Sequence, residues 1–295
     1  MKTFETFIDY IKFVVLVRDT NRYRFYPWGD KFLETLLITG ETRKLAVPKD
    51  TFFWRSQLSK AEPREVVWEE GVYHDRKPYP YPAERMKHRI GMASEGRANP
   101  KGIPYLYLST DKDTAMAECR PWLQSDISVG RFQTTRDLTL IDCSKDEYTP
   151  VTMNDLPKEK TDPKFVERVI WGQINRAFTE PVHRSDHVAD YAPTQVIAEF
   201  FKSKKFDGLK FKSALGDGCN VALFDLNAAE MTHCYLFRAK KITYLFEPVE
   251  NAYYSTPLGE YLDNPQAVDD FLNRVKKVIQ KNYSGECNDN NGKKA

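Results

Sequence analysis

The chain has 295 residues, room for one large domain with additions or for two small ones. Hydrophobic residues make up 41% and aromatic residues 13%, which excludes global disorder; 16 tyrosines and 18 phenylalanines suit pockets lined by rings. Lys and Arg number 44 against 42 Asp and Glu, and a net charge of +2 gives no footing for a nucleic-acid or anionic-membrane partner.

Residues 1–50 are expected to form a helical appendage. Phe4, Phe7, Ile8 and Ile11 recur at helical spacing, and a second apolar stretch, 32–38, follows a break at Pro27-Trp28-Gly29-Asp30. The aromatic run 52–57 reads as a strand. Residues 58–94 are polar and Pro-rich, which predicts a long loop with at most one short helix; within it Tyr79-Pro80-Tyr81-Pro82 is a rigid stretch. A turn at Asn99-Pro100-Lys101-Gly102 feeds a strand over 103–109. Ser109 or Thr110 is the expected cap of a helix reaching Trp122, with Asp111 and Asp113 in its first turn.

Strands are predicted over 129–132 and 138–142, then a charged surface insertion over 144–163. Val166, Ile170, Ile174 and Phe178 mark an amphipathic helix, and 191–204 another. Strands 207–213 and 219–225 are joined by a Gly-containing hairpin loop, and a last strand is expected over 242–246. A helix over 265–281 precedes a polar tail. The irregular mixture of strands and helices favours α+β over a doubly wound sheet.

Five cysteines (Cys119, Cys143, Cys219, Cys234 and Cys287) are odd in number and form no CxxC, which argues against a disulfide framework or zinc knuckle and fits a reducing compartment. The first ten residues lack the pattern of a secretion signal, and the apolar run 13–16 is far short of the ~20 residues of a spanning helix. A cytoplasmic protein without membrane contact is therefore expected. His183 and His187 stand four apart, but no third ligand is evident and Pro181 precedes them, so no metal site is expected. Cys119 reads as a small buried hydrophobe, and Lys202, Lys204 and Lys205 as a solvated helix end.

Strand periodicity singles out four residues. Tyr105, Tyr107 and Ser109 share one face, Leu106 and Leu108 the other. Leu209, Phe211 and Ser213 share an inward face, with Lys210 and Lys212 toward solvent. Arg97 precedes the first strand, and Ala115 and Ala117 let the following helix lie close to the sheet, bringing Glu118 with it. Arg97, Tyr107, Glu118 and Ser213 could together take an anion and a sugar. A guanidinium holds a pyrophosphate or carboxylate by paired bonds, a ring stacks on a heterocycle, and a carboxylate stabilises an oxocarbenium ion. Residue type alone leaves the alternative open: Arg and Glu are commonly solvated, and a strand Tyr is commonly core.

The segment Gly96-Arg97-Ala98-Asn99-Pro100-Lys101-Gly102-Ile103-Pro104-Tyr105-Leu106-Tyr107-Leu108-Ser109, followed by Ala115-Met116-Ala117-Glu118, resembles the core motif of the RES domain, a family named for an Arg, a Glu and a Ser. Thr51-Phe52-Phe53-Trp54-Arg55 resembles the family's opening strand. Phe206-Asp207-Gly208-Leu209-Lys210-Phe211-Lys212-Ser213 with Gly218-Cys219-Asn220-Val221-Ala222-Leu223-Phe224 resembles its closing hairpin. The four blocks span about 51–248.

The resemblance implies a mixed, split β-sheet core of ADP-ribosyltransferase-like type with flanking helices, and a cleft that takes NAD. It divides the chain into a helical appendage (1–50), an NAD-cleaving domain (51–248) and a C-terminal helix with a disordered tail (249–295). It implies an NAD glycohydrolase or phosphorylase, acting as a growth-inhibiting bacterial toxin. Arg97, Glu118 and Ser213 would be catalytic, and Arg55, Arg97, Tyr107, Ser213 and Asn220 would bind NAD. NAD is then a substrate, phosphate a co-substrate, and no cofactor is needed. The implied partner is an Xre-type antitoxin that blocks the cleft, and a second copy of the chain stays among the candidates. A transferase that attaches ADP-ribose to a macromolecule and a silent binding module on the same fold are the alternatives. Two departures from the family pattern stand out: Ala98 replaces the Trp that often follows the motif Arg, and the chain carries additions at both ends and over 58–94.

Overall fold

A computed structural model describes residues 3–23, 25, 27–59, 64–68, 71–75, 78–87, 91–150, 162–180, 188–243, 246 and eight positions between 266 and 277. The chain forms two compact units, Met1–Ile242 and Thr243–Ala295. In the second, the described residues between 266 and 277 are helical. His183, His187, Cys287, most of the 144–163 insertion and the tail lie outside the described residues.

In the first unit, α1 (Asp9–Val15) runs into a π turn, Leu16–Thr20, and α2 (Pro27–Gly40) follows. The residues expected to break the chain, 27–30, are instead the first turn of α2. Proline suits that position because its missing N–H would have no helical partner there. Next come β1 (Lys44–Val47) and β2 (Phe52–Leu58). The region expected as a loop holds a hairpin, β3 (Arg64–Trp68) with β4 (Gly71–Asp75), and α3 (Ala83–Met86). Pairing runs from Arg64 with Asp75 to Trp68 with Gly71, and Gly71 takes φ 146°, a value L side chains resist. The flanking charges hid the short β-forming runs in both strands.

Then follow β5 (Leu106–Ser109), α4 (Lys112–Glu118), β6 (Asp126–Thr134), β7 (Leu138–Asp142), α5 (Pro163–Thr179), α6 (Ala192–Ser203), β8 (Gly208–Lys212), β9 (Cys219–Leu223) and β10 (Ala229–Arg238). Among the described residues the last strand is β10; of the strand expected over 242–246, Ile242, Thr243 and Phe246 are not in a strand, and 244 and 245 lie outside the described residues. β10 pairs with β6 alone among the described residues, and it interrupts its alternation with an irregularity between Met231 and His233, which blurs a period of two. The cap of α4 is Asp111, which accepts from the backbone N–H of Thr114 at 2.8 Å; Ser109 is still in the strand.

Eight strands make one sheet in the order β1-β7-β8-β9-β5-β2-β6-β10. Neighbours are antiparallel except β7 and β8. Between β5 and β2 the ladder narrows to a single pair, Trp54 with Ser109. Five strands thus lie on one side of that link and three on the other: the α+β class follows the order of elements, and the mixed, split sheet is the one that the family resemblance implies. Residues 1–50 belong to the same unit. β1 is the sheet's edge, and Phe13, Phe32 and Leu36 join the main core.

The strand alternation holds. Tyr105, Leu209, Phe211 and Ala222 pack with the helices in one core, whereas Leu106, Leu108, Val221 and Leu223 pack in a second core with Phe53, Phe132 and Met86. In the first, Trp171, Phe178 and Phe201 are fully buried, and Phe178 stacks on Phe211 with centroids 5.4 Å apart. Each such ring stabilises the fold by about 1.5–3 kcal/mol through its removal from water. Lys210, expected in solvent, is half-buried and meets Asp142 of β7 at 3.1 Å.

Candidate active site

The site forms where the ladder is thinnest. The Asp111 cap starts α4, and Thr114 and Glu118 fall on one helix face, four residues apart. The Thr114 hydroxyl accepts from the N–H of Gly218 at 3.0 Å, and the Thr110 hydroxyl accepts from the N–H of Cys219 at 2.9 Å. These bonds dock the β8–β9 hairpin against the helix. A Cβ at 218 would press on the side chains of Asp111, Thr114 and Thr110 and force them to shift, which glycine avoids. The docked hairpin presents Ser213 and Asn220 to Glu118. Ser213 Oγ donates to Glu118 Oε1 at 2.7 Å, and Asn220 Nδ2 donates to the same oxygen at 2.6 Å. Ser109, opposite Asn220 in the ladder, donates to Asn220 Oδ1 at 3.0 Å and fixes which way the amide points. The carboxyl group is thus held by its Oε1, and among the described residues Oε2 has no protein donor.

Arg97 sits on the turn before β5. Its Nη1 donates to the carbonyl of Phe178 at 2.9 Å, in the last turn of α5, where helical carbonyls lack partners. The turn itself is held by Tyr107, whose hydroxyl accepts from the Ala98 N–H at 3.0 Å and donates to Asn99 Oδ1 at 2.8 Å. Burial pushes that phenol up to about 12, so it stays a donor. Asn99 in turn donates to the carbonyls of Ser94, Pro100 and Ile103.

Arg55 on β2 is buried and donates from Nη1 to the carbonyl of Tyr107 at 2.8 Å, across the narrow part of the sheet. Loss of water lowers its guanidinium to about 10, still a cation at neutral pH. Burial likewise pushes the neighbouring Cys119 thiol up to about 11, although the side chain, expected to be buried, is only half-buried and lines the cleft described next.

A cleft of about 440 Å³ opens here. Arg55, Arg97, Tyr107, Glu118 and Asn220 line it, and Ser213 reaches it through the Glu118 carboxyl. Sequence reasoning missed Trp54, Ser56, Arg120 and Tyr191, which also line it. Tyr191 lies far from the motif in sequence and carries no local signal. Trp54 and Ser56 flank Arg55 in a strand that was recognised. Among the described residues no group of three or more His, Cys, Asp or Glu side chains could hold a metal ion, and no helix is long and apolar enough to cross a membrane.

The RES domain model matches residues 71–245, more than half of the chain, and the protein belongs to the RES domain family. Among solved structures it is similar to a chain in the crystal structure of the M. tuberculosis MbcT-MbcA toxin-antitoxin complex. That match has 14% identity and a TM-score of 0.36, and it covers 68% of this chain and 91% of that one. No curated protein sequence matches the chain.

Proposed function

We propose that this RES-domain protein cleaves the nicotinamide–ribose bond of NAD and, by consuming NAD, arrests growth as a toxin. The observation that carries the reading is the Glu118 carboxyl, oriented by Ser213 and Asn220 in a cleft that also holds Arg55 and Arg97. Cleavage sends the electron pair of the C1′–N bond to the nicotinamide nitrogen. Nicotinamide leaves neutral and needs no acid. The ribosyl carbon becomes an oxocarbenium ion, and a fixed carboxylate stabilises that charge as it develops. Water or phosphate then bonds to C1′ and loses a proton. Arg97 and Arg55 match the two negative charges of a pyrophosphate, and Arg120 adds a third cation to the wall. Tyr107 shapes the Arg97 turn through its hydroxyl, and its ring meets the nicotinamide end. Ser213 orients Glu118 toward the ribose.

Purified protein incubated with NAD, with and without phosphate, should release nicotinamide. A phosphorylated ADP-ribose product would identify phosphate as the acceptor, and label transferred to a macromolecule would identify a transferase. No release from folded protein under either condition defeats the proposal. Expression alone should slow growth, and E118A should relieve it. An Xre-type antitoxin that covers the cleft completes this reading, and its co-expression should restore growth.

A further inference from the structure

We infer that Gln195, on α6, is a positioning residue that holds the Arg97 turn in its working shape. Its side chain is remote from the RES motif in sequence and only 8% exposed. Its single amide nitrogen, Nε2, donates to the carbonyl of Gly96 at 3.0 Å, to the carbonyl of Asn99 at 3.1 Å and to Glu95 Oε1 at 3.0 Å. The two carbonyls bracket Arg97 on both sides. The Asn99 carbonyl also accepts from the Gly96 N–H at 3.0 Å, so the Gly96 carbonyl is the one that relies on Gln195, and a buried carbonyl left without its donor is costly.

The clamp works from outside the turn. Tyr107 and Asn99 tie the turn to itself and to β5. Arg97 itself reaches the end of α5, and Gln195 ties the backbone of the turn to a second helix of the main core, α6, where Ile197, Ala198 and Phe201 are fully buried. Tyr191, one turn earlier on the same side of the chain, lines the cleft. The start of α6 therefore supplies a wall of the cleft and a strut for its arginine. Gln195 touches no reacting atom in this arrangement; it acts through the backbone of residues 96–99.

The kinetic part of the test rests on the reading of the cleft as an NAD-cleaving site; the exchange part does not. Q195M keeps length and volume but removes the donor. Q195E keeps length and polarity and removes both N–H donors, and its acid group, set against Glu95 and two carbonyls, offers no more than a single O–H in their place. Both should speed amide exchange over residues 94–103 by about tenfold, the size of one net hydrogen bond, with exchange in β8 and β9 unchanged. Both should raise KM for NAD by about tenfold and leave kcat within about threefold, because an arginine that grips phosphate acts on ground and transition states alike. If Q195M does not fold, Q195E carries the test. Unchanged exchange over 94–103 in a folded variant overturns the inference. So does a loss confined to kcat, which would place Gln195 with the reacting groups. If the wild-type protein releases no nicotinamide, the catalytic reading fails and the exchange result alone decides the role of Gln195.

Discussion

Ser213 Oγ lies 2.7 Å from Glu118 Oε1, although 95 residues separate the two in sequence. The contact joins the end of β8 to the last turn of α4. With Asn220 on the same oxygen, it fixes the plane of the carboxyl group before any ligand arrives. Preorganisation of this kind is the main way a carboxylate gains catalytic value, since nothing must be reordered as charge develops.

E118Q keeps the size of the side chain and removes the charge. Nicotinamide release should fall by about 10²–10³-fold, within the range of a single electrostatic stabiliser, with circular dichroism unchanged. S213A leaves Asn220 in place and should cost about tenfold. Equal rates for E118Q and wild type would remove Glu118 from the chemistry.

Arg55 clasps the Tyr107 carbonyl across the narrow part of the sheet. R55M leaves that buried acceptor without its donor, which should cost about 1–3 kcal/mol in urea unfolding. It should also weaken ADP-ribose binding. A variant that loses binding with no change in urea midpoint would separate the two roles and refute the clasp.

Alkaline conditions should destabilise the fold from pH 9 upward. Below pH 9 the thiols of Cys119 and Cys143 are protonated in both folded and unfolded chains. Above it the unfolded chain ionises them, whereas burial holds them protonated up to about 11 and about 12 in the folded protein. Burial shifts Cys234 in the same direction. Unfolding then releases protons, so stability falls with rising pH by up to about 1.4 kcal/mol per unit for each thiol. Arg55 acts with the opposite sign only above about 10, where its folded form deprotonates first. Urea midpoints between pH 8.5 and 10 should therefore decline, and C143A should make the slope shallower. A slope unchanged by C143A would contradict this account.

F178A removes a fully buried ring stacked on Phe211 but keeps the carbonyl that receives Arg97. The cavity should cost about 3–5 kcal/mol. Thermal unfolding should shift down by several degrees, at about 2–4 °C per kcal/mol for a unit of this size. A shift under one degree would mean that the site collapses to fill the space.

The strands that carry the motif were legible because their side chains alternate between two cores. Tyr105 and Leu106 separate into those cores as the period of two requires. The α5 helix was legible because Val166, Ile170, Ile174 and Phe178 repeat at its pitch, and all four are buried. β3 and β4 were not, since two five-residue strands amid charges carry too few apolar positions for a period to emerge. β10 was missed because an edge strand needs little apolar patterning and this one breaks its register at Thr232. Within the site, strand and helix periodicity grouped Glu118 and Ser213 with Arg97 and Tyr107, and Asn220 entered through the family resemblance; the oxygen that Ser213 and Asn220 share was not legible, because it depends on the hairpin docking onto Thr110 and Thr114. Gln195 and Tyr191 could not be found from sequence, since their role comes only from where α6 starts.

The lone Trp54–Ser109 pair also gives the sheet a mechanical character. A sheet bends most cheaply where its rungs are fewest, so this line, crossed by that one backbone pair and by the Arg55–Tyr107 bond, is a crease between a five-strand plate and a three-strand plate. Arg55 rides on one plate, and Ser213 with Asn220 rides on the other. Any ligand long enough to touch both bridges the crease as a splint does. Occupancy of the cleft should then stiffen the whole sheet, and the amides of Trp54 and Ser109 are where that stiffening would first be felt.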